Sequence, residues 1–187
     1  MKEANILGKY AIITGFRNVS LNDVNKFLGV VQERIKNSQV QFFDAKLIAG
    51  WEHIYFAALN ALRAFETGLN ISKSPSIEAL LFASGQHQIS KAVDLLGIKP
   101  RSSEIGVLIM ADSKGEGDEA LREISAILSG ERCHDVLRLT EEKAEVIKRM
   151  FGISDQEIEA ALREEGTEKR ALTNLVIEHI ALLATRR

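Results

Sequence analysis

Residues Phe43–Lys99 read FDAKLIAGWEHIYFAALNALRAFETGLNISKSPSIEALLFASGQHQISKAVDLLGIK, and the way this stretch divides decides the fold. Val40–Asp44 (VQFFD) reads as a short strand. Gly50 opens a helix over Trp51–Thr67, and Gly68 closes it as a residue able to take the left-handed conformation at a C-cap. Leu69–Ser76 (LNISKSPS) is a polar loop. Ile77–Ala83 (IEALLFA) is a mostly apolar run of strand length, and it reads as a third strand. Ser84-Gly85 then turns the chain into a helix over Gln86–Leu96, closed by Gly97.

The same alternation continues outward. Tyr10–Phe16 (YAIITGF) is a strand. Ser20 is a good N-cap, and Val24, Phe27, Leu28, Val31 and Ile35 give helical spacing over Leu21–Lys36. After the turn Lys99–Ser103, Glu104–Ala111 (EIGVLIMA) reads as a buried strand. Ser113–Gly117 reads as a Gly-rich loop. Helices follow at about Asp118–Leu128, Thr140–Met150, Ser154–Glu164 and Glu168–Ala184, with a short strand at Val136–Leu139. Alternating strands and helices over residues 1–112 favour a parallel sheet. A helical part occupies residues 113–187. No linker separates the two, so residues 1–187 read as a single domain.

Composition bounds the chemistry. The chain has 187 residues, 24 Lys and Arg against 26 Asp and Glu, and a net charge of −2. A dedicated nucleic-acid binder carries a strong basic excess, so any RNA contact must be local or shared with a partner. The single cysteine, Cys133, excludes an internal disulfide and fits a reducing, cytoplasmic compartment. No apolar run is long enough to span a membrane, and the first residues have no signal-peptide pattern.

The motifs of common enzymes are missing. Gly115, Gly117 and Lys114 follow a strand, but GxxxxGK[ST] is not present. Cys133-His134 has no second pair to complete a zinc set. Ser84 lacks the GxSxG elbow. No cofactor or metal is expected, and no catalytic residue is assigned.

Two features stand out. Gly50–His53, Asn70–Lys73 and Ser84–Gln88 bring small polar residues together with helix starts. Helix N-termini favour anions, with Lys73, His53 and His87 adding charge. The same residues also suit tight turns and a partly buried capping histidine, and both readings stand. The second feature is the last helix. Leu172, Leu175, Val176, Ile177, Ile180, Leu182 and Leu183 cover roughly 220° at 100° per residue, where one core-facing stripe needs ~100°. Such a helix either sits deep in the fold or offers a second face to a partner.

The residues of Phe43–Lys99 resemble the KEOPS-complex subunit family that includes the PRPK-binding protein. The resemblance rests on Gly50 and His53, Asn70-Ile71-Ser72-Lys73, Ile77–Leu81 running into Ala83-Ser84-Gly85, and Gln88-Ile89 followed by Gly97-Ile98. Leu175–Leu183 (LVIEHIALL) is similar to the family's closing helix. The resemblance implies an α+β fold: a small mixed, largely antiparallel sheet packed by helices, in place of the parallel sheet. It implies a non-catalytic accessory subunit in making threonylcarbamoyladenosine on tRNA. The implied partners are the small atypical kinase/ATPase subunit of the complex and the single-stranded 3′ CCA end of tRNA.

On this reading the tRNA-binding residues are His53, Asn70, Ser72, Lys73, Gln86, His87 and Gln88, at one site. His87 stands where members often carry a basic residue, commonly Arg; an imidazole neutralises less phosphate than a permanent guanidinium cation. The kinase-binding residues are Leu172, Leu175, Val176, Ile180 and Leu183, together with the first helix. The reading from a different class is a small α/β enzyme or ligand-binding domain with a pocket near Gly50, Asn70 and Gly85.

Overall fold

The structure is a computed structural model and describes residues 1–186. Its centre is a five-stranded antiparallel sheet in the order β1 (Lys2–Ile6), β2 (Lys9–Arg17), β4 (Ile105–Ala111), β3 (Ser38–Asp44), with β5 (Glu131–Arg132) pairing the end of β2. The fold is α+β, and the parallel sheet suggested by alternation alone is not formed. β1 and β2 make a hairpin that the sequence reading missed. Its two-residue turn, Leu7-Gly8, has φ of 49° and 81°, as a type I′ turn requires.

β4 is buried along its whole length, so its two faces feed two cores. Ile105, Val107 and Ile109 meet Ile12, Phe16 and Phe42 under α1 (Val24–Arg34) and α5 (Lys114–Ile127). Leu108 and Met110 meet Ala11, Ile13 and Phe43 under α2 (Trp51–Thr67), α3 (Pro75–Ser84) and α4 (Ile89–Leu96). Alternate side chains on a strand point to opposite faces, so one apolar run serves both layers. A third cluster joins Ala49 to α6 (Glu141–Phe151), α7 (Asp155–Glu165) and α8 (Glu168–Leu182).

The principal correction concerns Ile77–Ala83, which lies within helix α3. An apolar run buried on all sides has no period to read, so its ends decide. Ser74 precedes Pro75 at the first helical turn, and Gly85 closes the helix in the left-handed region at φ 64°. That is the expected order of Pro at the start and Gly at the end. Between them, Glu, Ala, Leu and Phe outnumber the one β-branched residue, Ile77.

Smaller boundaries also move. α1 begins at Val24, because the Asp23 side chain accepts the Lys26 amide. α4 begins at Ile89 with Gln88 as its N-cap. Ser113–Gly117 is the start of α5, where Ser113 and Glu116 form a capping box. Gly117 is required there, since an added Cβ would stand 2.8 Å from the Tyr10 ring. Part of the strand expected at Val136–Leu139 is the 3-10 turn His134–Leu137.

Candidate functional site

Asn70, Ser72 and Lys73 lie in the loop between α2 and α3. This loop is built around Glu78, which is buried in the first turn of α3. The Glu78 carboxylate accepts the amides of Ile71 (3.1 Å) and Ser72 (2.8 Å). These are the N–H groups that an external anion would need, and an internal anion holds them. Asn70 Nδ2 donates to the Ser72 carbonyl at 2.9 Å, and Ser72, itself buried, donates to the Ser74 carbonyl at 2.7 Å. Lys73 stays exposed, and Leu69 and Ile71 in the same loop are 58% and 45% exposed. The loop therefore exposes one cation, Lys73, and two apolar side chains, Leu69 and Ile71.

Gln86, His87 and Gln88 lie elsewhere. They follow the C-terminus of α3, whereas Asn70–Lys73 precede its N-terminus. Ten helical residues at 1.5 Å each put roughly 15 Å between the two groups, so the structure does not bring them into one pocket. The amides of Gly85 and Gln86 are also occupied. They cap α3 by donating to the carbonyls of Phe82 and Leu81. The open helix start is at α4, where Gln88 makes no side-chain capping bond. His87 and Gln88 are exposed, and Gln86 is half-buried.

His53 has no solvent-accessible surface. Its Nδ1 accepts the Ala49 amide at 3.2 Å, which fixes Nε2 as the protonated nitrogen, and Nε2 donates to the Ala83 carbonyl at 2.8 Å. Burial lowers its pKa to about 4, against the bond to Ala83, which raises it. The imidazole is neutral and serves two helix ends at once. It takes an amide just before α2 and a carbonyl from the last turn of α3, both of which would otherwise lack helical partners. The Phe151 ring lies edge-on to it at 5.7 Å.

Four of the five residues in and just after α8 expected at a partner surface are core. Leu172, Val176, Ile180 and Leu183 are between 0% and 5% exposed. The wide apolar arc arises because α8 packs against α2 and α3 on one side and α6 and α7 on another. Leu175 is half-buried, and Leu182 is 48% exposed. With His179, which faces Phe151 at 6.2 Å, they form an i, i+4, i+7 row at the rim of the core.

The Gly50 helix start faces a different neighbourhood from either loop. It opens on a cleft of about 630 Å³, with Lys2 from β1, His134 and Arg138, and the first turns of α8. The sequence marked Gly50 but not this cleft, because its walls come from four separated parts of the chain. Among the described residues, no group of three or more His, Cys, Asp or Glu is placed to hold a metal ion, and no helix is long and apolar enough to cross a membrane.

An open antiparallel sheet packed by helices on both faces makes this a small protein of the α+β class. The particular lineage follows from comparison with known proteins. The chain belongs to the family described as kinase binding protein CGI-121, whose model matches residues 16–184. The regulatory protein Cgi121 of Methanocaldococcus jannaschii is 30% identical over 142 residues, covering 76% of this chain and 84% of that protein.

Proposed function

We propose that this protein is a non-catalytic accessory subunit of the KEOPS tRNA-modification complex, working in the cytoplasm. In this role it binds the small atypical kinase/ATPase subunit and helps recruit tRNA by its unpaired 3′ CCA end. The family match across residues 16–184 carries this reading, since the family is described by kinase binding. The burial pattern of α8 moves the proposed kinase contact to the residues left at its rim. Leu182 stands at the centre, with Leu175 beside it.

Leu182→Arg places a charge where half the side chain already meets solvent, so folding stability should change by no more than about 0.5 kcal/mol. At a desolvated contact the same charge weakens association by more than about tenfold. Co-purification of a tagged Leu182→Arg protein with the kinase subunit tests this. Native-level capture by a folded variant would put the contact elsewhere.

For tRNA, the separation of Lys73 from Gln86–Gln88 supports two contact points along α3 and α4. Lys73 offers a phosphate contact. His87, Gln88 and the open start of α4 offer hydrogen bonds to unstacked bases. With so few phosphates met, each adds a salt slope of only about −0.7 on a single strand. Lys73→Glu should weaken binding of intact tRNA and leave kinase capture unchanged. The comparison is with tRNA trimmed of its 3′ end. Equal binding of both RNAs, or indifference to Lys73→Glu, would mean that the 3′ end is held outside this chain.

A further inference from the structure

Lys143 is the one lysine that is buried among the described residues, at 8% exposure. Its place follows from the start of α6. The Thr140 hydroxyl accepts the Lys143 amide and opens the helix. Helical side chains lean toward the preceding turn, and the Lys143 ammonium reaches back to donate to the Val136 carbonyl. An ammonium carries three donors. Among the described residues this is its one hydrogen bond, and it forms no ion pair. Burial lowers its pKa to about 8, against Glu104 and Asp44, which raise it.

Lys143 lines a cavity of about 610 Å³ bounded by the end of β3, the loop before β4 and the first turns of α6. That volume lies within the ~300–1,000 Å³ of small-ligand sites. Leu47, Val136 and Val146 form the apolar part of its wall. Arg17 and Arg138 also line it, but Glu131 and Asp135 hold them. Lys46, Lys99 and Arg101 form no ion pair among the described residues. Of the carboxylates, Asp44 accepts the Ser102 hydroxyl and the Lys46 amide, which leaves Glu104 and Glu142. Unpaired cations therefore outnumber unpaired carboxylates around a buried amine.

We propose that Lys143 is an acyl-acceptor site, modified by a small acyl phosphate that enters this cavity. A desolvated lysine is the usual form of an amine nucleophile. In its neutral form Lys143 can keep one N–H on the Val136 carbonyl and use its lone pair for attack. The new bond joins Nζ to the acyl carbon. The bond from that carbon to the phosphate oxygen breaks, phosphate leaves with the electron pair, and the surplus proton on nitrogen passes to solvent. Lys46, Lys99 and Arg101 offset the charge of the donor and of the departing phosphate. The acyl chain has Leu47, Val136 and Val146 to lie against. The amide product removes a buried charge, which is costly where it stands, and retains one N–H for Val136. None of Lys73, His87, Gln88, Leu175 or Leu182 lines the cavity, so the site stands apart from the proposed tRNA and kinase contacts.

Acetyl phosphate is the probe, with the full chain and peptide mass mapping of each lysine over time. At pH 7.5 an amine with this pKa holds roughly a hundredfold more free base than an exposed lysine near ~10.4, and its lower basicity offsets part of that gain. Lys143 should therefore acetylate about tenfold faster than the exposed Lys36 and Lys91. Its rate should level off above about pH 8, while theirs keeps rising. Lys143→Arg keeps a cation for Val136 and should lower total uptake by one acetyl group. Arg101→Gln should slow the reaction of Lys143 severalfold with acetyl phosphate and leave it unchanged with p-nitrophenyl acetate, a donor without charge. Cys133 lines the same cavity, and Cys133→Ser should leave the adduct on Lys143, since the attack is direct. Acetylation of Lys143 no faster than of Lys36, a rate that climbs past pH 9 in step with the exposed lysines, or equal effects of Arg101→Gln on both donors would overturn the proposal. Each of these would leave Lys143 as a tie between α6 and the turn at Val136.

Discussion

Ile180→Arg is expected to abolish the cooperative unfolding transition of this protein, while Leu182→Arg, two residues along the same helix, leaves it intact. Ile180 is fully buried in the core shared by the sheet, α2 and α3. Truncation to Ala alone removes enough packing to cost about 2–5 kcal/mol. Arginine adds an ion with no partner in that core, at a further cost of several kcal/mol. Against a total stability of roughly 5–15 kcal/mol, the sum leaves little or no folded protein. Leu182 is 48% exposed, and its replacement keeps the charge in water. Urea titrations followed by tryptophan fluorescence and circular dichroism distinguish the two, with Ile180→Ala as the intermediate case. An Ile180→Arg protein with a native midpoint would show that α8 is undocked in solution, and that its buried face is a contact surface.

The contrast shows where the sequence was informative. α2 is bounded as predicted, Trp51–Thr67, because glycines punctuate both of its ends. β2, β3 and β4 are recognisable because short β-rich runs end in turn residues. The α3 segment reads as a strand because a run that is buried all round shows no period; Ser74-Pro75, Gly85 and the scarcity of β-branched residues are what distinguish it from an interior strand. That one segment also misplaces the candidate site. Recognised as a helix, it separates Asn70–Lys73 from Gln86–Gln88 and turns the amides of Gly85 and Gln86 inward. The apolar arc of α8 was legible as an excess, but its cause was not. Two helical layers meeting on α8 bury a wider stripe than one layer does, and periodicity does not report how many neighbours a helix has. The cleft at Gly50 is assembled from residues more than 150 positions apart, so no local pattern announces it.

The Gly50-x-x-His53 and Ala83-Ser84-Gly85 segments are joined by one buried histidine, and this gives the protein a defined acid sensitivity. In the folded state His53 has a pKa of about 4, because burial disfavours its charged form. In the unfolded chain it titrates near ~6.5. Between these values the unfolded state binds one more proton, so stability is full above about pH 6.5 and falls as the pH drops toward 4. The slope approaches 1.4 kcal/mol per pH unit, and the loss across the window is about 3 kcal/mol. His134, whose pKa is also lowered, acts in the same direction. The carboxylates of Glu3 and Glu157, held below their ordinary range by hydrogen bonds, lose their contribution only at the acid end. The His53 share is isolated by comparison with His53→Asn. That variant loses a bond at one of the two helix ends and is less stable at pH 7, but it has no proton to gain at this position. Unfolding free energies from urea titrations at pH 4.5, 5.5, 6.5 and 7.5 should converge for the two proteins as the pH falls. Parallel lines would mean that His53 is already exposed or already charged in the native state, and that the junction between α2 and α3 is held by packing alone.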